Sequence, residues 1–411
     1  LRLPGREARD FFSCNISRSA SSDSVESIPN IFLKARSALR SVVVDLFARN
    51  DGEIEALNGL RALAILAVLL LHLYVPAGPY LGVPFASLDR FARNLTSGVD
   101  LFFVLSGFLV YSHLVAKPMN RHALLAYARK RARRILPAYI FALIGAAIYV
   151  YNLIGSLERA GQHEMAYRLT TSLSSAWTDL LFVSNYSADR LLEPGWSLSV
   201  EVHFYLLLPL LVLAFQRLQS RARLALLVVL FMIPTLLRLY WHDDGMIYFY
   251  THTRLDGIFA GMIVAELIQV DSSRLLKGGL SIVAAALLLI GHLCEIDGFF
   301  YRTFRYAFFA AGFAMLLFLA VRSSKSSLFG RLLSSTALRF IARISYTLYL
   351  WHPIFLTVGL RQIGVNPDSE ITHVFLGWLY ALVVAAAGST MLYLAIERPF
   401  QMRRASSANG T

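Results

Sequence analysis

Residues 57–74 read LNGLRALAILAVLLLHLY, an apolar run long enough to cross a bilayer as one helix. Inside it sit Arg61 and His72, eleven positions apart. At about 100° per residue, eleven steps return to within about 20° of the starting face, so both side chains share one side of the helix. At about 1.5 Å per residue they are separated by roughly 16 Å, about half the hydrocarbon core. One helix thus presents a fixed cation near one leaflet and a titratable base toward the other. Ionisable residues are costly inside a membrane and by default mark a functional site. Taken alone, Arg61 also reads as an interfacial residue that snorkels, and His72 as an imidazole satisfied in a bundle core. The rest of the chain decides between these readings.

Of the 411 residues, 56% are hydrophobic and only 16% charged, with a mean hydropathy of +0.55. That balance excludes an ordinary soluble domain and predicts an all-α, polytopic integral membrane protein. The net charge of +13 would suit nucleic acid. The basic residues are gathered in particular loops, however, which membrane orientation explains better, so no nucleic-acid partner is expected. Cys14 and Cys294 form no metal-ligand or CxxC spacing and predict neither a metal site nor a disulfide framework. About fifty polar residues precede the first apolar run, which is not the pattern of a cleavable signal peptide.

Hydropathy predicts about ten spans, at 57–75, 97–115, 136–154, 197–215, 222–241, 254–270, 278–294, 303–321, 342–361 and 373–395. Loops after the even-numbered spans are basic: Lys117 to Arg134 after the second, Arg217, Arg221 and Arg223 after the fourth, Arg322 to Arg339 after the eighth. Loops after the odd-numbered spans carry Glu158, Glu164, Asp179, Asp189, Glu193, Asp243, Asp244, Asp297, Asp368 and Glu370. The alternation places both termini in the cytoplasm. The expected organisation is a flexible cytoplasmic tail over 1–55, a ten-helix membrane domain over 56–400 and a short cytoplasmic tail over 401–411. Within the first tail, Ile31–Phe47 reads as an amphipathic stretch suited to a membrane surface.

This topology gathers polar residues into one outer layer. His72 lies near the external end of the first span, Asp100 of GVDLFFVLSGFLV at that of the second, and Glu201 of PGWSLSVEVHFYLLLPLL one turn below the same surface. Arg254 and Asp256 of TRLDGIFAGM join them. An unpaired charge at that depth costs several kcal/mol, so mutual pairing is expected, with Arg254–Asp256 read as a structural ion pair. An acid beside an imidazole fixes its tautomer and raises its basicity, which pairs Asp100 with His72 as catalytic groups. On the opposite side the run YARKRARRILP, residues 127–137, has two readings. Its charges set topology, or Arg129, Arg131 and Arg134 form a phosphate-binding patch beside Arg61, because guanidinium forks match phosphate oxygens bidentately. His352 in SYTLYLWHPIF reads either as an interfacial aromatic-belt residue or as part of the site.

Several of these segments, taken in order, resemble one known family. LNGLRALAILAVLLLH is similar to the Arg-X10-His signature that opens the membrane-bound acyltransferase-3 family, whose members O-acylate cell-envelope glycans, Nod factors and macrolides. GVDLFFVLSGFL, the basic run, PGWSLSVEVHFYLLLP, RLDGIFAGM, ISYTLYLWHP and the terminal IERPF follow in the family's order, over about residues 55–400. The resemblance implies transfer of an acyl group, expected to be acetyl, from cytoplasmic acyl-CoA to a hydroxyl of a polysaccharide or glycolipid. His72 would match the family's catalytic histidine and Arg61 its paired arginine. Arg131 and Arg134 look like the basic motif associated with the CoA donor. The chain departs from the pattern at Asn58, where the family usually has Asp, and at Val202-His203, where a second acid commonly follows Glu201. It resembles the stand-alone form, without a hydrolase-like domain after the last span.

The mechanism that follows uses His72 as general base, Asp100 to orient it and Glu201 as a further carboxylate, with Trp196, Ser197, Arg254, Asp256 and His352 as candidate acceptor contacts. Acyl-CoA is a donor substrate, and no tightly bound cofactor is expected. Lipids surround the domain, and a bacterial inner membrane is the expected location. Two alternatives remain open on sequence: acylation of a small-molecule or lipid-linked hydroxyl, and a proton-coupled transporter or flippase, which would also explain buried charge near mid-membrane.

Overall fold

The computed structural model describes residues 40–42, 44–49, 53–77, 86–116, 118–270, 277–324, 326–364 and 369–401. Leu1–Asp45 and Leu46–Thr411 form separate compact units, and all that follows concerns the second. Most of the predicted surface stretch 31–47, Cys14 and the C-terminal tail beyond Gln401 lie outside the described residues.

Among the described residues the unit is entirely helical. Its elements are α1 (Glu55–Ala77), α2 (Ala86–Arg93), α3 (Ser97–Val115), α4 (Arg121–Arg159), α5 (His163–Ser174), α6 (Ala176–Leu180), α7 (Gly195–Phe215) and α8 (Ser220–Tyr240). There follow α9 (Leu255–Val270), α10 (Lys277–Leu293), α11 (Phe299–Thr303), α12 (Arg305–Val321), α13 (Leu328–Leu333), α14 (Thr336–Ile363) and α15 (Ile371–Leu392). Each of the ten predicted segments is a helix. Among the described residues, six helical stretches are long and apolar enough to cross a membrane, those containing α1, α3, α4, α7, α8 and α15, while α10 and α12 are shorter apolar helices.

Local sequence sets several ends. Asn120 caps α4 by accepting the Ala123 N–H at 2.8 Å. Gly364, at φ 73°, closes α14 in the left-handed conformation that glycine adopts without strain. The chain continues from α15 through a π-helical turn, Tyr393–Glu397, that points Glu397 inward to accept the Thr347 hydroxyl at 2.6 Å. The largest departure from the sequence reading is α4. Its 39 residues extend the third predicted span backward through the whole basic run, so Arg129, Arg131 and Arg134 project from a helix and not from a loop.

Burial separates the helices into an inner and an outer set. Helix α3 is the centre, with 13 of its 19 residues buried, whereas α8 has four of 21 and α15 five of 22. The outer faces carry Ile148, Leu206, Leu210, Leu236, Leu376 and Leu379, each 60% or more exposed. Apolar side chains so numerous on the outside have no place in water and fit a hydrocarbon solvent. In the interior, α3 and α9 cross at backbone contact through glycine. A Cβ added at Gly107 would lie 2.0 Å from the Ile258 carbonyl oxygen, and one at Gly261 2.0 Å from that of Val104. This crossing brings Asp100 to the start of α9. The protein is an integral membrane protein.

Candidate functional site

A cavity of about 290 Å³ opens among α1, α3, α4, α7 and α14. Arg61, Lys130, Arg131 and Arg134 line it together with Glu201, Ser197, Ser106 and the tyrosines 205, 346 and 349. The basic residues come from two helices far apart in sequence, as the sequence reading required for a patch beside Arg61. Arg131 also lies over the Tyr205 ring, 5.5 Å from its centroid, an attraction between a cation and the negative ring face. Ser106 and Tyr205 share a 3.0 Å hydrogen bond, and both hydroxyls reach the Glu201 carboxylate. Four basic side chains against one carboxylate leave the cavity positive, so it suits an anion. Arg129 does not join them; it is exposed on another face of α4.

Deeper along the wall, Ser197 and the Tyr349 hydroxyl are 2.5 Å apart. Behind Tyr349 lie two imidazoles from different helices. His72 of α1 and His352 of α14 meet edge to face with ring centroids 4.5 Å apart. Nδ1 of His72 is 2.8 Å from the Val68 carbonyl oxygen, and Nδ1 of His352 is 2.6 Å from that of Tyr349. A carbonyl oxygen can only accept, so both rings carry their proton on Nδ1 and present a lone pair at Nε2. For His72 that nitrogen is free to take a proton. His352 is 1% exposed, and its Nε2 has no hydrogen-bond partner.

The expected pairing of Asp100 with His72 is corrected by the structure. Asp100 accepts from Nη2 of Arg254 at 2.8 Å, because the α3–α9 crossing faces it toward that residue and not toward α1. The orienting bond to His72 comes instead from its own helix, through Val68. The expected Arg254–Asp256 pair is corrected as well. Residues two apart on a helical turn point to different sides, and Asp256 pairs with Arg238 at 2.8 Å. Both ion pairs are buried. Arg254 is enclosed by Tyr306 and Tyr248, with ring centroids at 4.3 and 4.8 Å, and more distantly by Phe103 and Trp196. Arg238 gives its other donors to the carbonyls of Thr303 and Thr253 and to the Thr235 hydroxyl. Arg254, Asp256 and Trp196 therefore belong to a charged, aromatic-walled core beside the cavity and not to its lining.

Sequence reasoning missed the tyrosines of the cavity and, more consequentially, Asp179. Its Oδ2 accepts the N–H groups of Leu191 (2.9 Å) and Leu192 (3.2 Å), and its carbonyl accepts the Tyr139 hydroxyl at 2.8 Å. A Cβ at Gly195 would lie 2.5 Å from Oδ1, which explains glycine at the first position of α7. Asp179 thus ties the segment before α7 to α4 and sets where Trp196, Ser197 and Glu201 begin. Burial raises its carboxyl above the usual aspartate value, outweighing the Ser184 hydroxyl and the two N–H donors that favour the charged form. The only sequence signal was an acidic residue in the connection between the third and fourth spans, and that does not distinguish it from Asp189.

The chain is similar to known O-acetyltransferases. The O-acetyltransferase OatA of Staphylococcus aureus is 29% identical over 370 residues, covering 84% of this chain and 57% of that protein. The putative peptidoglycan O-acetyltransferase YrhL of Bacillus subtilis is 29% identical over 375 residues, covering 85% and 55%. The peptidoglycan O-acetyltransferase OatA of Listeria monocytogenes is 24% identical over 355 residues, covering 81% and 53%. The chain thus spans little more than half the length of these relatives. No solved structure matches it. Residues 54–394, which hold the cavity, both imidazoles and the charged core, match the family model described as an acyltransferase domain, and the chain belongs to that family.

Proposed function

We propose that the protein moves an acetyl group from cytoplasmic acetyl-CoA to a hydroxyl of a cell-envelope glycan, peptidoglycan being the acceptor named for two of its relatives. The observation that carries this reading is the positive cavity whose wall residue Tyr349 adjoins the paired imidazoles, its ring centroid 5.7 Å from that of His352. Its volume sits at the low end of the roughly 300–1,000 Å³ of small-molecule pockets, enough for a slender acyl-bearing arm and too little for a whole nucleotide thioester. The phosphates of CoA therefore rest at the mouth, on Arg131, Arg134 and Lys130, and the pantetheine arm passes Arg61. The thioester end extends past Tyr349 toward the paired imidazoles.

At that point Nε2 of His72 takes the proton of the acceptor hydroxyl as its oxygen attacks the thioester carbonyl carbon. The tetrahedral adduct collapses with breakage of the C–S bond, and the CoA thiolate leaves toward the arginines. The Ser197 hydroxyl gives its proton to the Pro194 carbonyl, so Tyr349, now donating to Ser197, would turn its own proton to the oxyanion. Ten spans with both termini in the cytoplasm, in the inner membrane of a bacterium, would put the arginines on the donor side and His72 toward the acceptor.

The donor half is tested by binding. Acetyl-CoA should bind the purified protein with an affinity that falls as salt rises, because its phosphates meet fixed cations. Arg131→Ala with Arg134→Ala should weaken binding about tenfold or more. Unchanged affinity in the double variant would return these arginines to a purely topological role.

A further inference from the structure

Two connections distant in sequence, the turn Ser184–Tyr186 and the segment ending in the turn Thr251–Thr253, bring three rings into one stack. Tyr186 and Tyr250 lie 5.3 Å apart at 19°, Tyr250 and His252 5.2 Å apart at 18°, and Tyr186 and His252 6.0 Å apart at 24°. The Tyr186 hydroxyl is 3.3 Å from Nδ1 of His252. Trp241 stands edge-on to His252 at 5.3 Å and 70°, making a side wall. One end is open at Tyr186, 48% exposed, as is the side wall at Trp241, 41% exposed, while Tyr250 and His252 are half-buried. The stack is also held firmly from below. Asn185 donates to the Thr251 hydroxyl at 2.9 Å, and the same hydroxyl is 2.6 Å from Nδ1 of His203. His203 is two residues from Glu201 on α7, so the stack and the cavity share a helix.

We propose that Tyr186, Tyr250 and His252 form a platform on which a pyranose ring of the glycan acceptor lies, with Trp241 at its edge. This rests on the acyltransferase reading above and supplies its acceptor subsite. The C–H bonds on one face of a pyranose carry partial positive charge, and aromatic faces carry the complementary negative charge. Hydroxyls around the sugar need acceptors at the rim. The carboxylate of Asp243, 91% exposed, lies in the segment that carries Trp241 and Tyr250. Aromatic residues that merely anchor a protein at a membrane interface work as single rings reaching toward headgroups. They do not require three rings held parallel from two connections and braced by a buried amide and a hydroxyl.

The test uses the full chain in detergent or nanodiscs, with acetyl-CoA as donor and the soluble tetramer of β-1,4-linked N-acetylglucosamine as acceptor probe. Tyr186→Ala and Tyr250→Ala should each raise the acceptor KM at least tenfold, leaving the acetyl-CoA KM within twofold. Tyr250→Phe, which keeps the ring, should stay within threefold of the parent. Trp177→Ala serves as control, being a 60% exposed aromatic outside the stack, and should leave both constants unchanged. Equal acceptor KM in parent and alanine variants overturns the platform. So does a rise matched by Trp177→Ala, which would mean interfacial anchoring alone. Should the parent transfer no acetyl, the acyltransferase reading fails while the platform is still decided by direct binding of the tetramer. Binding abolished by Tyr186→Ala supports it, and absent or unaltered binding overturns it.

Discussion

His72 and Asp179 show two ways in which a single residue is fixed by its surroundings. Val68, one turn below His72, takes the Nδ1 proton and leaves Nε2 as the base. No acidic neighbour is needed, and helical spacing alone supplies the bond. Asp179 has the opposite problem, because its carboxylate is buried and depends on two main-chain donors at one oxygen. Asp179→Ala leaves two buried N–H groups unsatisfied, at about 1–3 kcal/mol each, and should lower thermal stability accordingly. Asp179→Asn keeps an acceptor oxygen and should cost far less. The pH dependence has a definite sign. Burial raises the folded carboxyl above its unfolded value, so across that window the folded chain holds a proton that the unfolded chain has released. Stability therefore falls as pH rises through the window and stays lower above it. Thermal unfolding measured from pH 4 to 8 should show this fall in the parent and a flatter profile in Asp179→Asn. Equal slopes would show that the carboxyl does not carry the effect.

The helices themselves were largely legible in the sequence. Apolar runs of eighteen or more residues name spans whatever their partners, and each of the ten segments proved helical. What periodicity does not reveal is which helices cross closely, and there the ion-pair assignments went astray. Asp100 meets Arg254 because α3 and α9 touch at Gly107 and Gly261, while Asp256 faces Arg238 of α8. Gly107→Ala or Gly261→Ala puts a methyl 2.0 Å from a carbonyl oxygen, and the helices must separate. Either change should destabilise the protein by several kcal/mol, since it also disturbs the buried Asp100–Arg254 pair, whose rupture costs about 3–5 kcal/mol. Unfolding in detergent would measure it, and a change under about 1 kcal/mol would mean that the crossing tolerates a methyl group. The extent of α4 was equally hidden. A basic run at the head of an apolar span has the same composition whether it is loop or helix, and only the continuing main chain places Arg131 and Arg134 over the cavity.

At the scale of the whole molecule, α14 joins the positive cavity to the pair of imidazoles, and α7 joins the cavity to His203, which braces the aromatic stack through Thr251. Arg61 and His72, eleven residues apart on α1, sit at two levels of that arrangement. Arg61 lines the cavity, and His72 lies beyond it against His352. The sequence reading anticipated that separation from rise per residue alone. It did not anticipate that the base would be backed by a second histidine, because His352 follows 280 positions later and only packing joins them. The central claim is that His72 is the base for acyl transfer from a donor seated on the arginines. The most direct measurement reconstitutes parent and His72→Ala protein in vesicles and follows label from acetyl-CoA into a glycan acceptor. The account predicts transfer by the parent. It also predicts loss of about 10²-fold to 10⁴-fold in His72→Ala, with acetyl-CoA affinity and thermal stability near those of the parent. Undiminished transfer by His72→Ala would contradict it.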